Sequence, residues 1–132
     1  MKTTRKRILV ADCHEDVLIT LERLLEDAGF DTTTVWTAKE AMKQADSHAF
    51  DLVLVNEHLP DARCEDVLRA LQKRGERPPC IVMQPGTPGI VDFVRLEALG
   101  AKDVVCKHRF RQIVEMVREL LLFDRRPIPA RI

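Results

Sequence analysis

No stretch of this chain approaches the roughly 20 consecutive apolar residues that a membrane span needs, and the longest early apolar run, Ile8 to Ala11, is far too short for a signal-peptide core. A soluble, unexported protein is expected. Excess charge is also lacking: 21 basic and 21 acidic side chains balance, leaving no bulk field to draw the chain to nucleic acid or a membrane surface. The basic ends, Lys2 with Arg5-Lys6-Arg7 and Arg125-Arg126, read as solvated termini, and no helix-turn-helix or basic recognition helix accompanies them. The four cysteines, Cys13, Cys64, Cys80 and Cys106, form no C-x-x-C pair, so neither a disulfide framework nor a zinc ribbon is suggested and a reducing cytoplasm is the expected home. Missing too are G-x-G-x-x-G and G-x-x-x-x-G-K-[ST] phosphate loops, a G-x-S-x-G elbow and H-E-x-x-H. The first loop, Asp12-Cys13-His14-Glu15, lacks the glycines and hydroxyls that flavin binding would want. Neither catalysis nor a cofactor is expected.

What is present is a chain of 132 residues, 45% of them hydrophobic, which suffices for one domain that buries about 70% of its unfolded surface. No linker, repeat or low-complexity segment divides it. Short apolar runs alternate with stretches of helical period, the pattern of a parallel sheet covered on both faces. Ile8 to Ala11 is a buried strand, and the helix after it repeats Val17, Leu18, Leu21, Leu24, Leu25 and Ala28 before stopping at Gly29. Thr32 to Trp36 is β-branched and aromatic, hence a second strand; Thr37-Ala38-Lys39-Glu40 then has the form of a capping box, opening a helix through about His48.

Leu52 to Val55 is a third strand, Leu59-Pro60-Asp61 a turn, and about Cys64 to Arg74 a third helix, after which Gly75 and Pro78-Pro79 break the chain. Strand Cys80 to Met83 follows. Thr87-Pro88 reads as a cap and a first helical proline for a fourth helix ending at Gly100. Val104 to Cys106 and Phe110 to Phe123 complete five β/α units, and residues 124–132 read as a frayed tail beyond a domain of 1–123. The expected fold is α/β: a doubly wound (βα)5 sheet of flavodoxin type in three layers, with its crevice beyond the carboxyl ends of the strands. Function is therefore sought at Ala11 to His14, Asn56 to Leu59, Gln84 to Thr87 and Cys106 to Arg109.

Motifs at those places carry a resemblance over about Arg7 to Phe123. Asp51-Leu52-Val53-Leu54-Val55-Asn56-Glu57-His58-Leu59-Pro60-Asp61 resembles the third strand and loop of a response-regulator receiver domain, and Ile8-Leu9-Val10-Ala11-Asp12-Cys13 its first strand. Gly100-Ala101 with Lys107-His108 is similar to the family's Gly-Ala and Lys-Pro signature around strand five. The resemblance implies two-component (phosphorelay) signalling, with a histidine kinase or other signalling protein as partner. It also marks departures. The phosphoacceptor aspartate is replaced by Asn56, the second metal-binding acid by Cys13, the strand-four hydroxyl residue by Gln84, the aromatic switch residue by Val104 and the proline by His108. Asp12 and Lys107 are kept.

Transfer of a phosphoryl group to a carboxylate depends on positioning and on charge neutralisation by Mg²⁺, a lysine and a hydroxyl donor. Asn56 carries a neutral amide, a very poor nucleophile, and the implied metal shell is reduced to Asp12, Cys13 and the backbone of His58, so Mg²⁺ binding should be weak or absent. A degenerate receiver that works by protein–protein contact is the reading this favours. Glu57 cannot compensate, because strand alternation aims it away if Asn56 aims in, and Glu15 and Asp16 suit the positive end of a helix dipole. Lys107 can still pair with Asp12. The peptide before His108 should be trans, since a cis bond there costs about 2.5–4 kcal/mol.

Cys13, His14, His58, Cys106 and His108 all fall near one edge of the expected sheet, which raises a second reading: a thiol- or metal-responsive sensor centred on Cys13. Against it, no two have the spacing of a structural site, and alternation should bury Cys106 and turn it away from Lys107. Partner binding and a homodimer would use the face of the fourth helix, fifth strand and fifth helix, with Asp92, Arg95, Val104, Arg111, Glu115 and Arg118, as the resemblance implies.

Overall fold

A computed structural model describes residues 5–74 and 78–123, in which strands and helices alternate along the chain. The strands are β1 (Arg7–Ala11), β2 (Asp31–Val35), β3 (Leu52–Asn56), β4 (Cys80–Gln84) and β5 (Ala101–Cys106); the helices are α1 (Glu15–Asp27), α2 (Ala38–Ser47), α3 (Cys64–Gln72), α4 (Ile90–Ala98) and α5 (Phe110–Leu121). The strands form one sheet in the order β2-β1-β3-β4-β5, with every neighbouring pair parallel.

Both faces of the sheet are covered, which is why the strands read as unbroken apolar runs. Leu9 and Ala11 of β1, with Val53 and Val55 of β3, pack under α2, α3 and Leu96 of α4. Their neighbours Ile8, Val10, Leu52 and Leu54 point the other way, onto Leu18, Leu21 and Leu25 of α1 and Ile113 and Val117 of α5. The order of strands reverses at β1 and β3, so connections leave to opposite sides and a crevice opens at their carboxyl ends. Asp12 and Asn56 stand at that point.

Several boundaries differ from the sequence reading for identifiable reasons. Trp36 lies outside β2 and is exposed; its backbone N–H bonds the Glu40 carboxylate in the cap of α2 rather than a neighbouring strand. Helix α4 starts at Ile90, not at Pro88: Gly89 is the cap, and Asp92 reaches back to accept from its N–H at 3.4 Å. Proline disfavours helical backbone at the residue before it, and glycine after it disfavours helix again, so the start moves inward. Strand β5 begins at Ala101, and a one-residue bulge at Lys102 restores its pairing with β4. The expected break at Gly75, the frayed tail 124–132 and, of the basic ends, Lys2 and Arg125-Arg126 lie outside the described residues, whereas Arg5, expected to be merely solvated, pairs with Glu26 and Asp31. Among those described, no helix is long and apolar enough to cross a membrane.

Candidate functional site

The buried polar residues among those described are Asp12, Asn56, Gln84 and Lys107, and all four stand at the carboxyl edge of the sheet. Asp12 follows β1, Asn56 ends β3, Gln84 ends β4 and Lys107 follows β5, where its backbone N–H donates to the Gln84 carbonyl at 2.7 Å. A core that buries polar groups in one place only has built a site there or must satisfy them mutually.

Mutual satisfaction is largely complete around Asp12. Lys107 Nζ lies 3.0 Å from Oδ2 and donates to Oδ1 at 3.1 Å, and both side chains are almost wholly buried. Oδ1 also accepts from the His14 backbone N–H at 2.9 Å and from Asn56 Nδ2 at 3.3 Å, whereas Oδ2 has the ammonium beside it but no hydrogen bond. Asn56 spends its second amide hydrogen on the His58 carbonyl, 3.1 Å away. The side-chain nitrogen of Asn56 thus faces two acceptors. A carboxylate there would bring its oxygens against Asp12 and the carbonyl, an arrangement that needs a cation between them. The amide removes that need.

His14 completes the cluster from the solvent side. Its Nδ1 is 2.8 Å from Asp12 Oδ1 and 2.8 Å from Lys107 Nζ, so a neutral ring can donate to the carboxylate or accept from the ammonium, but not both. The half-buried Cys13 thiol is 3.8 Å from the same nitrogen. Sequence reasoning took His14 only as one of several scattered ligand candidates. Its position depends on the turn after β1, where the His14 N–H bonds back to Asp12, a two-residue link characteristic of aspartate in turns.

Gln84 belongs to a second cluster. Its side chain donates to Glu57 Oε2 at 3.1 Å rather than reaching Asn56, and the same oxygen takes Arg95 at 3.3 Å. Arg95 also pairs with Glu65 of α3 and, at 3.3 Å, with Asp92 of its own helix, so one guanidinium ties α4 to the end of β3 and the start of α3. Glu57 does point away from the Asp12 crevice, as alternation requires, with His58 Nε2 3.6 Å from its other oxygen. Arg95 was expected on an open partner face; the nearby carboxylates hold it here and raise its pKa despite partial burial. Val104 is likewise not on that face but buried beneath α4 and beside α3.

The remaining cysteines divide by environment. Burial pushes the Cys64 thiol up to about 12, with Glu65 adding to it, and burial alone pushes Cys80 up to about 12. Both are inert packing groups. Cys106 faces the Pro85 carbonyl at 3.8 Å, turned away from Lys107 as expected, yet it is half-exposed rather than buried because β5 is an edge strand. The Lys107–His108 peptide is trans, and no cis bond occurs among the described residues.

Comparison with known proteins gives this geometry a context. A family model described as the response regulator receiver domain matches residues 8–118. The alkaline phosphatase synthesis transcriptional regulatory protein PhoP of Bacillus subtilis is 29% identical over 102 residues, which cover 77% of this chain and 42% of PhoP. The sensory transduction protein RegX3 of Mycobacterium tuberculosis is 29% identical over 115 residues, 86% of this chain and 50% of RegX3. The chain therefore spans half or less of the length of these relatives. Among solved structures, the receiver domain of a LuxO repressor protein from Vibrio parahaemolyticus superimposes with a TM-score of 0.83 at 22% identity, covering 90% of this chain and 92% of that one. The response regulator TrrA of Thermotoga maritima, in complex with Mg²⁺-BeF, gives 0.77 at 26% identity over 88% of this chain and 99% of TrrA.

Mg²⁺ of the kind present in that complex does not fit the residues found here. The ion wants several hard oxygens in octahedral array. The crevice offers one carboxylate, already engaged by Lys107, beside a thiol, an imidazole and an amide that turns its nitrogen toward Asp12.

Proposed function

This chain belongs to the response regulator receiver domain family, and from that premise we propose that it serves two-component signalling as a receiver that accepts no phosphoryl group and acts by protein–protein contact. The observation that carries this reading is the amide of Asn56, which stands at the acceptor position and donates to both Asp12 and the His58 carbonyl. A phosphoryl acceptor needs a nucleophilic oxygen in line with the donor and a cation to neutralise the transferring group. Here the acceptor is a neutral amide, and the place of the cation is taken by amide hydrogens and the Lys107 ammonium.

The partner is a histidine kinase or another cytoplasmic signalling protein, met without a phosphoryl-dependent change. The face of α4, β5 and α5 suits a contact of that kind or a homodimer, since Ile90, Val91 and Val94 of α4 stand exposed on it.

The decisive measurement is intact-mass spectrometry after incubation with acetyl phosphate and Mg²⁺, or with a kinase from the same organism. No adduct is expected under conditions that label an aspartate-bearing receiver. Addition of one phosphoryl group to a carboxylate of this chain would end the reading.

A further inference from the structure

The disagreement with Mg²⁺ has a chemical direction. Three consecutive residues after β1 present an oxygen, a sulfur and a nitrogen to one point: Asp12 Oδ1, Cys13 Sγ and His14 Nδ1 lie within 4.8 Å of one another. We propose that Asp12, Cys13 and His14 form a binding site for a thiophilic divalent ion of the Zn²⁺ class, open to solvent at its fourth position. The proposal rests on the reading that this crevice holds neither Mg²⁺ nor a phosphoryl group.

The spacing suits such an ion. Tetrahedral Zn²⁺ with bonds of about 2.0–2.3 Å sets its ligand atoms about 3.3–3.6 Å apart. The imidazole nitrogen is now 2.8 Å from the Asp12 oxygen and 3.8 Å from the Cys13 sulfur, so small rotations of the exposed ring bring both separations into range. Asp12 is wholly buried and its position is fixed by the bond from the His14 N–H, so the rearrangement falls on Lys107 and Asn56, which now donate to Oδ1. Softness then selects the metal: thiolate and imidazole favour Zn²⁺ over Mg²⁺, and the set of donors inverts the preference of an all-oxygen site.

Lys107 is the competitor that the ion must meet, and the geometry lets both stay. The ammonium lies 3.0 Å from Asp12 Oδ2, an oxygen with no hydrogen bond, so it can keep that oxygen while the ion takes Oδ1. Its 3.1 Å bond to Oδ1 and its 2.8 Å contact with His14 Nδ1 are what is given up. As the sulfur–metal bond forms, the Cys13 thiol releases its proton to solvent, and the bound ion is balanced by the Cys13 thiolate and the Asp12 carboxylate. Uptake would thus exchange one partner of Lys107 and reorder the turn between β1 and α1, a change of the kind that can replace phosphorylation as an input.

The test uses the full chain, purified metal-free, titrated with Zn²⁺ against a chromophoric chelator, and with Co²⁺ read by absorption. One ion per chain is expected, with a thiolate-to-Co²⁺ charge-transfer band and no competition from millimolar Mg²⁺. Cys13→Ser should abolish the band and weaken Zn²⁺ binding about tenfold or more, and His14→Gln should weaken it comparably. Cys106→Ser should change neither reading. Circular dichroism confirms that each variant is folded. Failure of the folded chain to take up Zn²⁺, or uptake that Cys13→Ser and His14→Gln leave unchanged, would overturn the site. Such a result is separable from the functional reading, because it leaves the absence of a phosphoryl adduct untouched.

Discussion

At the scale of single residues, Asn56 shows how one substitution rewrites a site's electrostatics. Its amide donates two hydrogen bonds where a carboxylate would have accepted or repelled, so it stabilises the crevice without any ion. Asn56→Asp should therefore destabilise the metal-free protein by about 1–3 kcal/mol, through two lost hydrogen bonds and a second negative charge beside buried Asp12. Urea unfolding at neutral pH checks this, and a variant as stable as the parent would mean that the amide's orientation is not what holds the crevice. The same variant should label only weakly with acetyl phosphate, because Cys13 still supplies no second carboxylate. That Asp12, Asn56 and Lys107 share one edge is readable from the sequence, since each closes or follows an apolar strand of a parallel sheet and such strands end in register. The side-chain directions of Gln84 and His14 are not readable in that way. Gln84 is drawn off by Glu57, and His14 is aimed by a turn whose shape is tertiary.

At the scale of elements, the amino terminus of α2 shows how loops around the crevice are held. Thr37 accepts from the Glu40 N–H at 3.1 Å, as the capping motif in the sequence predicts. The sequence does not show that Asp61, from the loop after β3, accepts from Ala38 and Lys39 at 2.8 and 2.9 Å. A contact across 23 residues is beyond local pattern. These backbone N–H groups, Ala38 first, hold the Asp61 carboxyl below its ordinary value of 3.8. A carboxyl whose pKa is depressed on folding contributes stability above its unfolded value and loses it as pH falls through the folded one. Asp61→Ala should accordingly cost about 1 kcal/mol at pH 7, a capping value reduced for solvent screening of an exposed group. The difference from the parent should shrink as the pH falls below 3.8. Urea midpoints across that range test it, and a pH-independent difference would assign the effect to packing rather than to the charge. The shifted start of α4 teaches the same lesson: Pro88 marks a helix start in sequence, but the Asp92 carboxylate reaching Gly89 decides where it falls.

At the scale of the molecule, the polar crevice and the apolar surface are joined by one helix. Arg95 anchors α4 to Glu57 and Glu65 and pairs with Asp92 of its own helix, and the same helix exposes Ile90, Val91 and Val94 at 79%, 74% and 64%. Three large apolar side chains that exposed on one short helix form a patch that soluble monomers seldom leave open. Helix α4 packs on β5, an edge strand, and α5, on the other face of the sheet, exposes Arg111 and Glu115, of opposite sign. The proposed homodimer would bury these apolar residues against their counterparts across a two-fold axis. The ion pairs of Arg95 tie α4 to the end of β3 and the start of α3. Val91→Asp should convert a dimer to a monomer, measured by light scattering at tens of micromolar, while leaving helical content unchanged. Arg95→Ala should loosen α4 and weaken the dimer without touching its apolar contacts. A parent protein that is monomeric throughout that range, with Val91→Asp indistinguishable from it, would assign the patch to a different protein partner.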